Sequence, residues 1–213
     1  MSKYPVFLDL IRKRVVVIGA GKVAARKVQS LLAADARVVV IAPHADSAFQ
    51  DLCDSGSVEL VISTYSRDFL TGAVLVIAAT NDTPLNNRIY KDCQQLEILC
   101  NVVDVPDLCD FYVPAIVERG SLQIAIGTDG KCPAYSGHLR RKLEEIFTPA
   151  HGRFLEELKD IRETIIENVE NPDLRKAILG ELVNDDSFDF FSANGPEAWR
   201  QHAQKTINNH KTL

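Results

Sequence analysis

Along the first half of the chain, short runs rich in branched apolar residues recur at Val15–Ile18, Arg37–Ile41, Val58–Ile62, Val74–Ala79 and Ile98–Asp104. In the first and fourth of these no polar residue breaks the run, which predicts strands buried on both faces of a parallel sheet. The intervening segments carry a different period. Val23, Lys27, Val28, Leu31 and Leu32 fall at helical spacing, Ala45–Ser55 reads as a second helix closed by Gly56, and Asn86 and Asn87 sit on a third. Tyr4–Leu10, which holds Pro5, reads as a short extended edge or a lead-in.

Near Val113 the pattern changes. Ile116–Glu118 and Leu122–Ile126 flank Arg119-Gly120-Ser121, a hairpin signature foreign to a parallel sheet. Thr128–Pro133 then leads into a helix with Pro133 in its first turn, where a missing N–H costs nothing. Tyr135, Leu139, Leu143, Ile146 and Phe147 are its expected buried stripe, and Arg140, Arg141 and Lys142 its basic cluster. Pro149 and Gly152 are read as a break before an all-helical tail. There Phe154, Leu158, Ile161 and Ile165, then Leu174, Ile178 and Leu182, keep helical spacing, and Trp199, Ala203 and Ile207 predict a last helix after Asn194-Gly195-Pro196. So small a tail is expected to hold little core of its own.

The first strand runs into Gly19-Ala20-Gly21-Lys22-Val23-Ala24, a Gly-x-Gly-x-x-Ala turn that opens a helix. In this context Gly19 permits the tight turn, Gly21 lets a pyrophosphate approach the backbone, and Ala24 keeps the helix close to the strand. The helix N-terminus adds ~0.3–2 kcal/mol of attraction for phosphate. These features predict a Rossmann-like dinucleotide site with Lys22 and Val23 at the helix start. The acid that usually ends the second strand is missing, since the chain reads Ile41-Ala42-Pro43-His44 there, and neither Asp35 nor Asp46 is a clean substitute. The motif therefore leaves the choice of dinucleotide open. Thr80, Asn81 and Asp82 end the fourth strand, where they either face the ligand crevice or cap the next helix.

Composition narrows the function classes. With 213 residues, 46% hydrophobic and 25% charged, and a net charge of −5, the chain reads as a globular protein without a nucleic-acid surface as its main business. Its five cysteines form no Cys-x-x-Cys pair, so neither a disulfide framework nor a zinc cage is expected. Nor do the five histidines show ligand spacing, and no permanent metal site is expected. No apolar run approaches ~20 residues and no signal-peptide core opens the chain, which predicts a soluble, cytoplasmic protein away from membranes.

Taken in order, Gly19–Lys27, Ala78-Ala79-Thr80-Asn81-Asp82, Cys100-Asn101-Val102-Val103-Asp104 and Lys131-Cys132-Pro133-Ala134 before a basic helix resemble the precorrin-2 dehydrogenase and sirohydrochlorin ferrochelatase family of sirohaem synthesis. The resemblance runs from about Tyr4 to Phe147 and more loosely into the tail. It implies a Rossmann-like α/β domain over residues 1–113, a small α+β dimerisation domain over 114–148, an all-helical domain over 149–213, and a homodimer. It also implies NAD as the cofactor, a tetrapyrrole as the substrate, Asn101 among the cofactor-binding residues and Asp104 as the catalytic carboxylate. A plain cap before Pro106 is the other reading of Asp104. Because such a substrate is fringed with carboxylates, Arg119, Lys131, Cys132 and Arg140 are the candidates to meet it. For Arg141 and Lys142, a solvated face paired with Glu144 and Glu145 is the competing reading. Cys132 stands where relatives commonly carry Ser, which bears on a second, iron-inserting activity. A non-catalytic dinucleotide-sensing module is the remaining alternative.

Overall fold

The structure, a computed structural model, describes residues 3–49, 52–53 and 56–211. Two compact units divide the chain at Val113 and Pro114. In the first, strands β1 (Arg14–Ile18), β2 (Arg37–Ala42), β3 (Glu59–Ile62), β4 (Leu75–Ala78) and β5 (Leu99–Val102) form a parallel five-stranded sheet in the order β3-β2-β1-β4-β5. Helix α1 (Lys22–Ala33) links β1 to β2, and α2 (Thr83–Gln95) links β4 to β5.

Strand alternation explains why both sheet faces are dry. Val15, Val17, Val38, Val40, Leu75 and Ile77 pack with Ala24, Ala25, Val28 and Leu31 of α1. Their neighbours Val16, Ile18, Val39, Ile41, Val76 and Cys100 point the other way, into Ile89 and Cys93 of α2. Each such side chain contributes about 1.5–3 kcal/mol on burial. The order also fixes the site. β1 feeds β2 on one side while β4 lies on the other, so a crevice opens past the carboxyl ends of these strands, where open α/β sheets bind ligands.

Differences from the sequence reading lie mainly outside the sheet. Tyr4–Leu10 joins no strand and leaves Tyr4 and Phe7 exposed. Of the helix expected over Ala45–Ser55, a 3-10 turn at Ser47–Phe49 and helical Leu52 and Cys53 are seen, while positions 50, 51, 54 and 55 lie outside the described residues.

The second unit opens with the antiparallel hairpin β6 (Ala115–Arg119) and β7 (Leu122–Ile126), whose turn uses Gly120 at φ 62°. Helices α3 (Pro133–Ile146), α4 (Pro149–Asn168), α5 (Pro172–Leu182) and α6 (Ser187–Lys211) follow. The expected break falls at Phe147 and Thr148, just before Pro149, and Gly152 is no part of it. Pro149 occupies the start of α4, where its missing N–H is harmless, and Gly152 lies inside that helix. A Cβ on Gly152 would stand 2.3 Å from the Arg119 carbonyl oxygen, so this glycine lets α4 dock on the hairpin. The stripe expected on α3 is only partly covered, with Tyr135 54% and Ile146 60% exposed. The tail, by contrast, has a core of its own in which Phe154, Ile161, Ile165, Ile178, Leu182 and Trp199 pack together. α6 is two helical segments joined across non-helical Gly195 (φ 81°, ψ 175°), so a last helix does follow Asn194-Gly195-Pro196 as expected, and the segment from Ser187 precedes it.

Candidate active site

The site is built from turns at the carboxyl edge of the parallel sheet. Gly19 continues β1 by donating its N–H to the Ile41 carbonyl at 2.9 Å, then turns with φ 111°. A Cβ there would sit 2.4 Å from the Ala79 carbonyl oxygen, so this glycine is required twice, by conformation and by space. Gly21 caps α1 from an ordinary extended conformation, φ −90° and ψ 179°. No side chain caps α1 and its first turn holds no acid, which leaves its positive end available to an anion. Lys22 is exposed, Val23 half-buried, and Ala24 fully buried against the sheet.

Beyond β4, the expected polar cluster proves to be internally bonded. The Asp82 carboxylate accepts from the Leu85 N–H at 3.0 Å and caps α2. Thr80 Oγ1 donates to Asn86 Oδ1 at 2.7 Å, and Asn86 Nδ2 donates back to the Thr80 carbonyl at 3.0 Å. Asn86 is buried, so it fixes the turn from beneath, while Asn81 is exposed at its tip. The sequence places Asn86 and Asn87 on the following helix with one of them in reach of the same crevice, and the structure shows that Asn86 is the one that turns inward, to Thr80.

β5 ends in the same layer. Asn101 is buried and donates from Nδ2 to the Phe111 carbonyl at 2.9 Å and to Cys109 Sγ at 3.3 Å, which ties the returning segment to the strand. Val103 extends the pairing by donating its N–H to the Ala78 carbonyl at 2.9 Å. Asp104 comes next, exposed and held at φ 61°. An aspartate tolerates the left-handed region better than most side chains, but it is seldom placed there without local cause.

Lys27 completes the neighbourhood. It occupies the half-buried side of α1, and burial together with the Arg26 guanidinium pulls its ammonium below the ordinary value, while Asp104 and Cys109 act in the opposite direction. The sequence reading placed Lys27 only as one position in a helical period. Its charge beside Asp104 became visible once α1 was laid on the sheet. The Cys109 thiol is pushed up by burial, as expected of an unreactive sulfur. Among the described residues, no group of three His, Cys, Asp or Glu stands close enough to hold a metal ion.

In the second unit Arg119 donates to the carbonyls of Phe147, Glu144 and Glu118. Arg140 pairs with Glu144 one helical turn on. Both guanidiniums thus have partners within the unit. Lys131 and Cys132 are exposed in the loop entering α3, and Cys132 caps that helix without a side-chain hydrogen bond.

Gly21 tests whether a dinucleotide fits. A Cβ there would meet only the Asp46 carboxylate at 3.8 Å, so the backbone is bare toward a space that the protein's own packing does not fill. Profiles of known families match in the same places. A family described as "Putative NAD(P)-binding" matches residues 6–115, and one described as "Sirohaem biosynthesis protein central" matches residues 119–146. The chain belongs to the family described as "Putative NAD(P)-binding", whose model spans just over half of it. The chain is similar to the siroheme synthase of Nitrosospira multiformis, 33% identical over 98% of this chain and 45% of that protein's length. That of Psychrobacter arcticus is 39% identical over 72% of this chain and 28% of its own. The chain therefore spans less than half the length of these relatives. A solved structure titled SirC, precorrin-2 dehydrogenase, superposes with a TM-score of 0.77 at 22% identity, covering 95% of this chain and all of that one, and so shares its fold. Among the described residues no helix is long and apolar enough to cross a membrane.

Proposed function

We propose that this chain is an NAD-dependent precorrin-2 dehydrogenase, which oxidises the tetrapyrrole to sirohydrochlorin. The observation that carries the proposal is the juxtaposition of Gly19, Thr80 and Asp104 at the ends of β1, β4 and β5, one carboxyl edge joined by backbone hydrogen bonds. When bound, NAD supplies a hydride acceptor. The chain's own residues do the rest. Gly19, Gly21, Lys22, Val23 and Ala24 present the helix start to the pyrophosphate, and Thr80, Asn81 and Asp82 shape the wall beside it. Asn101 holds the floor in place. Loss of a hydride from the substrate is matched by loss of a proton, and the Asp104 carboxylate is positioned to receive it. The Lys27 ammonium of α1 lies within electrostatic reach of it.

On the second unit, Lys131, Cys132, Arg119 and Arg140 are assigned to the carboxylate-fringed substrate, with the two arginines also serving their internal partners. Residues 114–148 are proposed as a dimerisation domain and 149–213 as a helical domain of a cytoplasmic homodimer. Apolar Ile116, Tyr135 and Ile146, exposed on the single chain, support that assembly. The test is incubation of purified protein with precorrin-2 and NAD, followed by absorbance. Formation of NADH together with the sirohydrochlorin spectrum is the expected result, and neither appearing would overturn the proposal.

A further inference from the structure

A dinucleotide-binding sheet ordinarily carries a carboxylate about 20 residues past its glycine turn, at the end of the second strand, where it accepts a hydrogen bond from a ribose hydroxyl. Here β2 ends on Ala42 and runs into Pro43 and His44. The structure returns an acid to that place by another route. The Asp46 N–H donates to the Ala20 carbonyl at 3.0 Å, which pins it to the residue between the two glycines. Its own carbonyl accepts from the Phe49 N–H at 2.9 Å, and the Phe49 side chain is fully buried in the core beside α1. This 3-10 turn is thereby fixed at both ends. Asp46 Oδ2 lies 3.8 Å from the point a Cβ on Gly21 would occupy.

Gly21 indicates what belongs in that gap. Its backbone conformation is open to any residue, and a Cβ there would make ordinary van der Waals contact. Gly19 has no such freedom, so the two glycines answer to different demands. The bare Cα of Gly21 leaves open space on the side where the Asp46 carboxylate stands. A carboxylate welcomes the hydroxyls of a sugar and repels a phosphate. Pro43, His44 and Ala45 bring no Lys or Arg to offset that repulsion.

We infer that Asp46 is the specificity-determining residue of the dinucleotide site, accepting hydrogen bonds from the adenosine ribose diol and disfavouring a 2′-phosphate, so that NAD is taken over NADP. This rests on the dinucleotide-binding reading above.

Equilibrium titration of the full chain with NAD and with NADP, without tetrapyrrole, tests it in the native protein and in Asp46→Asn and Asp46→Ser. The backbone bond from residue 46 to Ala20 survives both changes, and circular dichroism checks the fold. Native protein should bind NAD at least about tenfold more tightly than NADP. Both variants should lose about tenfold in NAD affinity, the scale of a hydrogen bond to a charged acceptor, and hold or gain NADP affinity, so the preference collapses. A preference unchanged in both variants, with NAD still bound, overturns this inference alone. If native protein binds neither dinucleotide, the underlying reading falls and takes this inference with it.

Discussion

Thr80 and Asn86 clasp each other by two reciprocal hydrogen bonds, Oγ1 to Oδ1 at 2.7 Å and Nδ2 to the Thr80 carbonyl at 3.0 Å. The clasp closes the β4–α2 turn from its buried side. Asn86→Leu keeps the volume but removes the side-chain partner of the Thr80 carbonyl and one of the partners of its hydroxyl, at a cost of about 1–3 kcal/mol. Urea denaturation should show that loss, and NAD affinity should fall with it because the turn beside the cofactor is released. Unchanged stability would show the clasp to be dispensable.

The glycine turn separates a folding requirement from a binding one. Gly19→Ala meets both a positive φ and the Ala79 carbonyl, so it should destabilise the first unit by roughly 1–3 kcal/mol or more. Gly21→Ala should leave the melting temperature within about a degree of native, a shift of only a few tenths of a kcal/mol, while abolishing measurable NAD binding. Equal behaviour of the two variants in thermal melts would contradict this division.

Gly152 makes the corresponding prediction for the second unit. Gly152→Ala places a methyl group against the Arg119 carbonyl, and the resulting shift of α4 on the hairpin should cost about 1–3 kcal/mol. A native melting profile would show that α4 can adjust freely there.

Lys27 gives a pH dependence whose sign is fixed by its surroundings. Its folded value lies below the ordinary 10.5, so between the two the unfolded chain binds more protons and stability rises with pH. At neutral pH the buried charge is a net cost. Lys27→Met should therefore melt higher than native protein at pH 7, with an advantage that narrows as pH approaches 10. An advantage that widens with pH would reverse the assignment.

What the sequence disclosed and what it withheld follow from the range of the interactions. Val15–Ile18 and Leu75–Ala78 are legible because a strand buried on both faces must be apolar at every position. The Gly19 turn and the Gly120 hairpin are legible because they are local. Asn86, Lys27, Asp46 and Gly152 were not, since each acts on a residue brought near only by the fold: Thr80, Asp104, Gly21 and Arg119. Asp46 is no clean substitute in the sequence because it falls four residues beyond β2, and only the return of the chain onto Ala20 brings it back toward the glycine turn. The stripe on α3 misled for a related reason. Periodicity reports which residues share a face, not whether anything in the same chain covers that face.

The most direct measurement is single-turnover oxidation of precorrin-2 by Asp104→Asn, paired with NAD titration of the same variant. The side chain keeps its size and loses its proton-accepting charge. The account predicts turnover reduced by about 100-fold or more with NAD affinity unchanged. Turnover at the native rate would contradict it.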